Sequence, residues 1–219
     1  MKLTLNIKTF IFVLFCIAFA NNIFAQGISK YGQITSTSGD FVNQNGITGS
    51  IPKLNKHGQL VVNIGDSYLG GIVAYILQSG DPGYIAGQQH GLIAAPTDQS
   101  LGLQWYNGSY IATGATATAL GSGNANTNTI VNIQGEGDYA AKLCYDLVLG
   151  GYSDWYLPSM DELTKLYINR VAIGGFTWTY WSSSEYIFTS YAWSLFFYDG
   201  TQQHRQKNLT TNVRAIRSF

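Results

Sequence analysis

The chain has 219 residues with 12 basic and 12 acidic side chains, so its formal net charge is zero. Only 11% of the residues are charged, against about 25% in an ordinary soluble domain, whereas 14% are aromatic. This composition excludes a disordered chain, which needs high net charge, and a coiled coil, which is rich in Ala, Glu, Lys and Leu. The absence of a basic surplus also argues against nucleic acid as a partner.

The first 25 residues have the layout of a secretory signal peptide. Lys2 and Lys8 form a basic start, an unbroken apolar run covers residues 10–20, and Ala25 is a small residue before the expected cleavage site. This apolar run is too short for a membrane-spanning helix, which needs about 20 residues. We therefore expect an exported chain, secreted or held at the cell surface, with no membrane span after signal removal.

A polar stretch follows the signal. Residues 26–64 are rich in Gly, Ser, Thr and Asn, with few large apolar residues before Leu60. This composition predicts an extended lead-in or a small hairpin region, which is a candidate segment for docking or oligomerisation. A globular apolar pattern begins at Gly65. The predicted organisation is a signal peptide over residues 1–25, a lead-in over 26–64 and one domain over 65–219.

The first part of this domain predicts strands and a long loop. Short apolar runs at residues 71–77 and 92–95 are typical of buried strands, and turn residues occupy 79–83 between them. Residues 107–129 are almost uncharged and rich in Gly, Ala, Thr, Asn and Ser. This composition predicts a long ordered loop, or a loop that carries a short helix near residues 126–131.

Two helices are predicted next. The apolar spacing over residues 138–149 predicts a helix that ends at Gly150, with Asp138 and Lys142 as a favourable i,i+4 ion pair.

The second predicted helix has a clearer N-terminal signal in the sequence. Ser159 follows Pro158 and precedes Glu162 by three residues, which is the pattern of a capping box. Met160, Leu163 and Leu166 then predict its buried stripe.

The last fifty residues predict antiparallel strands. These cover residues 179–183, 191–198, 201–205 and 212–219, with a hairpin turn at Asp199–Gly200. The predicted fold class is α+β: two helices packed on a twisted, mostly antiparallel, loop-rich sheet.

The sequence predicts no metal ligand and no cofactor. His57, His90 and His204 do not have the spacing of a metal site, and no phosphate-binding glycine loop is present. Loop aspartates such as Asp81 and Asp98 leave calcium open, although EF-hand spacing is absent.

No catalytic residue is predicted either. Cys144, the one cysteine after signal removal, lies on an apolar helix face and is expected to be a buried, unreactive thiol. A glycosidase needs two paired carboxylates, and the sequence does not select a pair. The candidates are Asp138, Asp154, Asp161, Glu162, Glu185 and Asp199.

Aromatic residues give the best candidate for a binding surface, because Tyr and Trp combine a large apolar area with a polar group. We expect Trp155, Trp181 and Trp193 to belong to the core. The face of the last hairpin opposite Trp193 is predicted to be a basic and aromatic patch for a sugar, a sulfated glycan or a protein, with a solvated hairpin tip as the alternative. Its residues are Tyr198, Gln203, His204, Arg205 and Lys207.

Several motifs occur in a characteristic order. Residues 154–163 read Asp-Trp-Tyr-Leu-Pro-Ser-Met-Asp-Glu-Leu, residues 180–185 read Tyr-Trp-Ser-Ser-Ser-Glu, and the chain ends with Val-Arg-Ala-Ile-Arg-Ser-Phe over residues 213–219. With Ala192-Trp193 and the glycines near residue 70, they resemble the C-terminal domain of the Legionella collagen-like adhesin. This family is found in exported bacterial proteins and is mostly of unknown function.

The resemblance implies a C-type-lectin-like fold with a loop-rich ligand face. In the adhesin, the domain is associated with sulfated glycosaminoglycans and with trimer formation. Residues 26–64 have no Gly-X-Y period, so the collagen-like stalk is absent and the oligomeric state stays open. The Glu-Pro-Asn and Trp-Asn-Asp motifs of calcium-dependent lectins are absent, and a single mature cysteine cannot supply the cysteine pair of a formylglycine-generating enzyme.

The resemblance also assigns architectural roles. It implies that Trp155, Pro158, Glu162, Trp181 and Glu185 support the fold rather than a site. Arg214 and Arg217 are expected to pair inside the fold with carboxylates such as Glu162 or Glu185.

The predicted function is therefore an exported, non-enzymatic, adhesin-like binding module that engages a glycan or a protein at the bacterial cell surface. The first alternative is a structural or assembly component of the cell envelope that docks through residues 26–64. A less favoured alternative is an unrecognised hydrolase.

Overall fold

The computed structural model describes residues 40–42, 48–50, 53–54 and 60–219. The chain divides into one unit over Met1–Ile51 and a second over Pro52–Phe219. In the first unit, β1 (Asp40–Val42) and β2 (Thr48–Ser50) pair as antiparallel strands. The predicted signal peptide lies outside the described residues, and the domain boundary at residue 65 stays a prediction. No helix in the described ranges is long and apolar enough to cross a membrane.

The second unit contains the remaining elements. Its strands are β3 (Lys53–Leu54), β4 (Leu60–Val61), β5 (Ser67–Tyr68), β6 (Gly71–Ile76), β7 (Gly91–Ala94), β8 (Ser100–Leu103), β9 (Thr179–Glu185), β10 (Tyr191–Phe196), β11 (Thr201–Gln206), β12 (Thr211–Val213) and β13 (Ile216–Ser218). Its helices are α1 (Gly123–Gln134), α2 (Ala140–Tyr145), α3 (Met160–Ile168) and α4 (Arg170–Ile173).

Two sheets form the framework. The larger has the order β11-β10-β9-β12-β8, the smaller has the order β13-β7-β6-β5, and β3 pairs with β4. All pairs are antiparallel except β9 with β12. The predicted α+β class is confirmed, although the described residues form four helices rather than two, because α1 with twelve residues and α4 with four are additional. The C-type-lectin-like label stays a prediction.

The core consists of two clusters that explain the apolar runs of the sequence. One cluster surrounds the tryptophans Trp105, Trp155 and Trp181, each at most 2% exposed. The other joins the buried stripe of α3 to Leu195 and to β6 and β7, whose short apolar runs are buried as predicted. Trp193 is only half-buried and packs against the edge of this second cluster.

The helix predicted over residues 138–149 is wrong in length, because α2 covers only Ala140–Tyr145. Gly150 and its neighbour Gly151 adopt positive φ, and the backbone of Leu149 pairs with Tyr152 in a tight turn. The predicted pair of Asp138 with Lys142 is also wrong, because Lys142 contacts Asp146 and Glu136 instead.

The predicted closing strand over residues 212–219 is two strands in different sheets. Arg214 lies between β12 and β13, and its guanidinium donates to Asp98, to the Ala95 carbonyl and to the Gly175 carbonyl. These bonds hold the chain where it passes from one sheet to the other. The helix predicted near residues 126–131 is also longer, because α1 covers Gly123–Gln134.

The capping box of α3 is confirmed and also reaches α1. Ser159 Oγ accepts the Glu162 N–H, and the Glu162 carboxylate accepts the Ser159 N–H at 2.7 Å. The same carboxylate accepts the N–H of Gly121, just before α1. A side chain at Gly123 would collide with this carboxylate, so the close approach requires glycine.

Both C-terminal arginines form ion pairs, but not with the expected carboxylates. Arg214 Nε lies 2.6 Å from Asp98 and Arg217 Nε lies 2.7 Å from Asp154. Glu162 is occupied by its capping box, and Glu185 pairs with Lys207. The hypothesis that Arg214 and Arg217 pair with Glu162 or Glu185 is therefore wrong.

We expect Arg214→Ala to lower the free energy of unfolding by about 3–5 kcal/mol, because it leaves Asp98 buried without its cation. Urea unfolding followed by tryptophan fluorescence measures this loss. Arg170→Ala is the matched control, because Arg170 is half-buried and bonds only the Tyr167 carbonyl and ring. Equal losses in the two variants would contradict a special role for Arg214.

Candidate functional site

The hairpin of β10 and β11 carries the residues predicted to bind a ligand. In its register, Trp193 lies opposite His204, Ser194 opposite Gln203, and Ala192 opposite Arg205. Side chains alternate between the two faces of a strand, so Gln203 and Arg205 share one face. His204 lies on the other.

The prediction that His204 lies on the hairpin face opposite the Trp193 side chain is therefore wrong. The two side chains share a face, with ring centroids 6.2 Å apart, because directly paired residues in an antiparallel ladder point the same way. His204 also stacks on Tyr186, with centroids 4.3 Å apart and nearly parallel planes. The five predicted residues thus do not form one patch.

Lys207 is not on the surface at all. Its side chain is fully buried, with Nζ 2.5 Å from Glu185 Oε1, 3.3 Å from the Ile111 carbonyl and over the Trp105 ring. A charge is stable in such a place only when a counter-charge and hydrogen bonds replace its water. Lys207 therefore has an internal role that its position after β11 did not indicate.

The Glu185 carboxylate joins three parts of the chain. Glu185 is the last residue of β9. Its carboxylate forms an ion pair with Lys207 from the segment after β11, and it accepts hydrogen bonds from the N–H groups of Thr113 and Gly114 at 2.9 and 2.8 Å. The Thr113 hydroxyl donates to it as well, at 2.9 Å. The long uncharged segment before α1 is thereby fixed to the end of the sheet.

Electrostatics support a charged carboxylate here. Burial alone would raise the pKa of Glu185, but the Lys207 ammonium and the Thr113 and Gly114 N–H groups hold it below its usual range.

Arg205 differs from every other basic residue between residues 60 and 219. Its guanidinium has no hydrogen bond, ion pair or ring contact in that range, and its Nε is buried without an acceptor. The other lysines and arginines of this range all contact a carboxylate, a carbonyl or an aromatic ring. A half-buried cation with an unused donor is suited to an anionic ligand.

Three aromatic rings lie at the other end of the same hairpin face. Trp178 stacks on Phe196 at 6.5 Å between centroids, and the Tyr198 ring lies 5.9 Å from Phe196. Trp178 and Tyr198 are 76% and 83% exposed, which is unusual for such large rings. We call Trp178, Phe196, Tyr198, Gln203 and Arg205 the hairpin surface.

Trp178 was missed in the sequence. It immediately precedes β9 and has φ of +47°, a left-handed backbone conformation that residues other than glycine rarely adopt. The Phe197 N–H donates to the Trp178 carbonyl at 2.6 Å, which holds this backbone against the hairpin. Nothing in the local sequence predicts a tryptophan in this conformation.

The remaining candidates for chemistry have structural surroundings. Burial raises the pKa of the Cys144 thiol, in agreement with an unreactive group. Asp98 and Asp154 pair with arginines, and Asp81 accepts the Tyr75 hydroxyl. In the described part of the chain, no three His, Cys, Asp or Glu side chains come together as metal ligands. No geometry in these residues selects a catalytic pair.

Comparison with protein families agrees with the motifs of the sequence. The chain belongs to the Lcl C-terminal domain family, whose model matches residues 95–217, more than half of the chain. The resemblance to the C-terminal domain of the Legionella collagen-like adhesin is confirmed. The chain is thus an adhesin-related domain, and such membership is typical of surface or secreted proteins. No curated protein matches the chain.

The depressed pKa of Glu185 predicts a specific dependence on pH. The stability that it contributes is present above the unfolded pKa of about 4.3 and is lost as pH falls through the lower folded pKa. The double variant Glu185→Gln, Lys207→Met removes both charges. As pH falls from about 5 to about 3, we expect the unfolding free energy of wild type to decrease relative to that of this variant. Urea titrations at each pH measure it, and a constant difference would contradict the assignment.

Proposed function

We propose that the chain is an exported, non-enzymatic binding module whose hairpin surface engages an anionic glycan at the bacterial cell surface. The observation that carries this proposal is the unpartnered guanidinium of Arg205 on the face that presents Trp178 and Tyr198. Membership of an adhesin-related family supports the same class of function.

Arg205 supplies the charge recognition. Its Nε is buried, so a ligand would contact the terminal nitrogens, which are accessible, have no acceptor within residues 60–219 and can donate to a sulfate or carboxylate oxygen. A guanidinium can also donate two parallel hydrogen bonds to such a group. Because the whole chain has no net charge, attraction of an anionic ligand depends on this local group.

Trp178 and Tyr198 supply the apolar contact. Sugar rings have one face made mainly of C–H groups, which packs on flat aromatic rings, while hydroxyls at the edge remain available for polar groups such as Gln203. The left-handed backbone of Trp178 costs on the order of 1–3 kcal/mol, and such strain is often found at binding sites.

The spacing of these groups favours an extended ligand. Thr201, which pairs with Phe196, and Arg205 are four residues apart on one strand, or roughly 13 Å. The aromatic end and the cationic end are therefore too far apart for one sugar ring to contact both. An oligosaccharide with an acidic substituent can contact both ends.

We expect Arg205→Ala and Trp178→Ala each to weaken binding of sulfated oligosaccharides at least tenfold, while the melting temperature stays within a few degrees. Surface plasmon resonance on immobilised heparin fragments, with desulfated fragments alongside, measures the change. On desulfated fragments, Arg205→Ala should no longer change the affinity, whereas Trp178→Ala should still weaken it.

His204→Ala is the matched control, because His204 lies on the opposite face of the same strand and should leave affinity unchanged. Calcium chelation should also have no effect on binding. Failure to bind any glycan, together with co-purification of a protein that depends on residues 26–64, would contradict the proposal and favour the assembly alternative.

A further inference from the structure

A second surface lies at the other edge of the large sheet, away from β11. Strand β8 pairs with β12 on one side only, so its outer side is an open edge within the described residues. Leu101 is 77% exposed there, and the neighbouring Gly102 donates its N–H to the side chain of Ser100. β8 contains no proline or charged residue, and its protection from pairing is limited to its short length of four residues and a register irregularity in its pairing with β12.

A pocket of about 370 Å³ lies between this edge and α2. Its lining is partly apolar, with Leu103, Tyr139 and Leu143, and partly charged, with Asp138, Lys142 and Asp146. The Ala140 N–H donates to the Gln104 carbonyl at 2.9 Å, which fixes the start of α2 against the end of β8. The pocket and the strand edge are therefore held together as one continuous surface.

The charge of this surface is unbalanced. Lys142 contacts Asp146 and lies 3.4 Å from Glu136, so its positive charge is already shared between two carboxylates. The exposed Asp138 carboxylate has no hydrogen bond or ion pair within residues 60–219. Asp138 is thus an additional negative charge beside an ammonium that two other carboxylates already share, and a cationic guest complements this surplus.

We propose that β8 and this pocket bind an extended segment of a partner protein, which adds a strand to the sheet and places a lysine or arginine side chain beside Asp138. Strand addition obtains affinity from main-chain hydrogen bonds, and pockets beside the edge select alternate side chains. The apolar part of the lining suits the aliphatic stem of a basic side chain, and the carboxylates suit its charged end.

A second copy of this chain is a poorer occupant. Pairing two β8 edges would bring two sets of surplus carboxylates together, and like charges across an interface oppose association. The surface is also separate from the hairpin surface, because β8 and β11 are opposite edges of the same sheet. Glycan binding and segment binding can therefore fail independently.

The test uses the mature chain and a capped peptide of alternating threonine and valine with one central lysine. Fluorescence anisotropy measures affinity, and amide chemical shifts of residues 100–103 locate the contact. We expect binding at this edge, and at least tenfold weaker binding when glutamate replaces the lysine. We expect a similar loss when alternate backbone amides of the peptide are methylated.

Asp138→Lys should weaken binding of the lysine peptide at least tenfold and should reduce the preference of the protein for the lysine peptide over the glutamate peptide. The matched control is Asp161→Lys, because Asp161 is an exposed aspartate on α3 whose side chain also has no partner within residues 60–219. Gly102→Pro removes the N–H that the peptide would take over from the Ser100 side chain and, with folding checked by circular dichroism, should abolish binding. Equal affinity for both peptides, no shifts at residues 100–103, or a dimer that Gly102→Pro disrupts would overturn the proposal.

Discussion

The buried ion pair of Lys207 and Glu185 is the constraint on which the candidate binding face depends. It joins the end of β9, the segment after β11 and the uncharged segment near Thr113 in one place. Backbone bonds reinforce it, because the Lys207 N–H donates to the Ser190 carbonyl and its carbonyl accepts the Trp105 N–H. Arg205 precedes Lys207 by only two residues, so fixing Lys207 also fixes the position of the unpartnered guanidinium.

The fold itself engages almost all of the few charged basic groups that follow residue 60. Within residues 60–219, all basic residues except Arg205 are occupied by carboxylates, carbonyls or rings of the fold itself. With so few charges, a group without a partner stands out: Arg205 lies on the edge strand β11, and Asp138 lines the pocket beside the opposite edge strand β8. Within residues 60–219, most aromatic residues likewise belong to the two core clusters or pack against them, and Trp178 and Tyr198 are the most exposed of the others.

Much of the fold could be predicted because its signals are local. The capping box at Ser159, the apolar runs of β6 and β7 and the final hairpin all depend on neighbouring residues. The partners of Lys207 and Arg214 could not be predicted, because each contact joins residues far apart in the chain. Of the predicted patch, Tyr198, Gln203 and Arg205 share a face, His204 lies on the other face and Lys207 is buried. Strand alternation could have separated His204, whereas burial of Lys207 required the tertiary fold.

Hydrogen exchange in a Lys207→Met variant tests the central dependence most directly. This change leaves Glu185 buried without its cation while the capping box of α3 is untouched. We predict faster exchange at the amides of residues 113–115 and 203–207, unchanged exchange in α3, and weaker binding of sulfated oligosaccharides although Lys207 itself is inaccessible. Unchanged exchange in both segments, with binding retained, would show that the ion pair does not hold the hairpin surface in place.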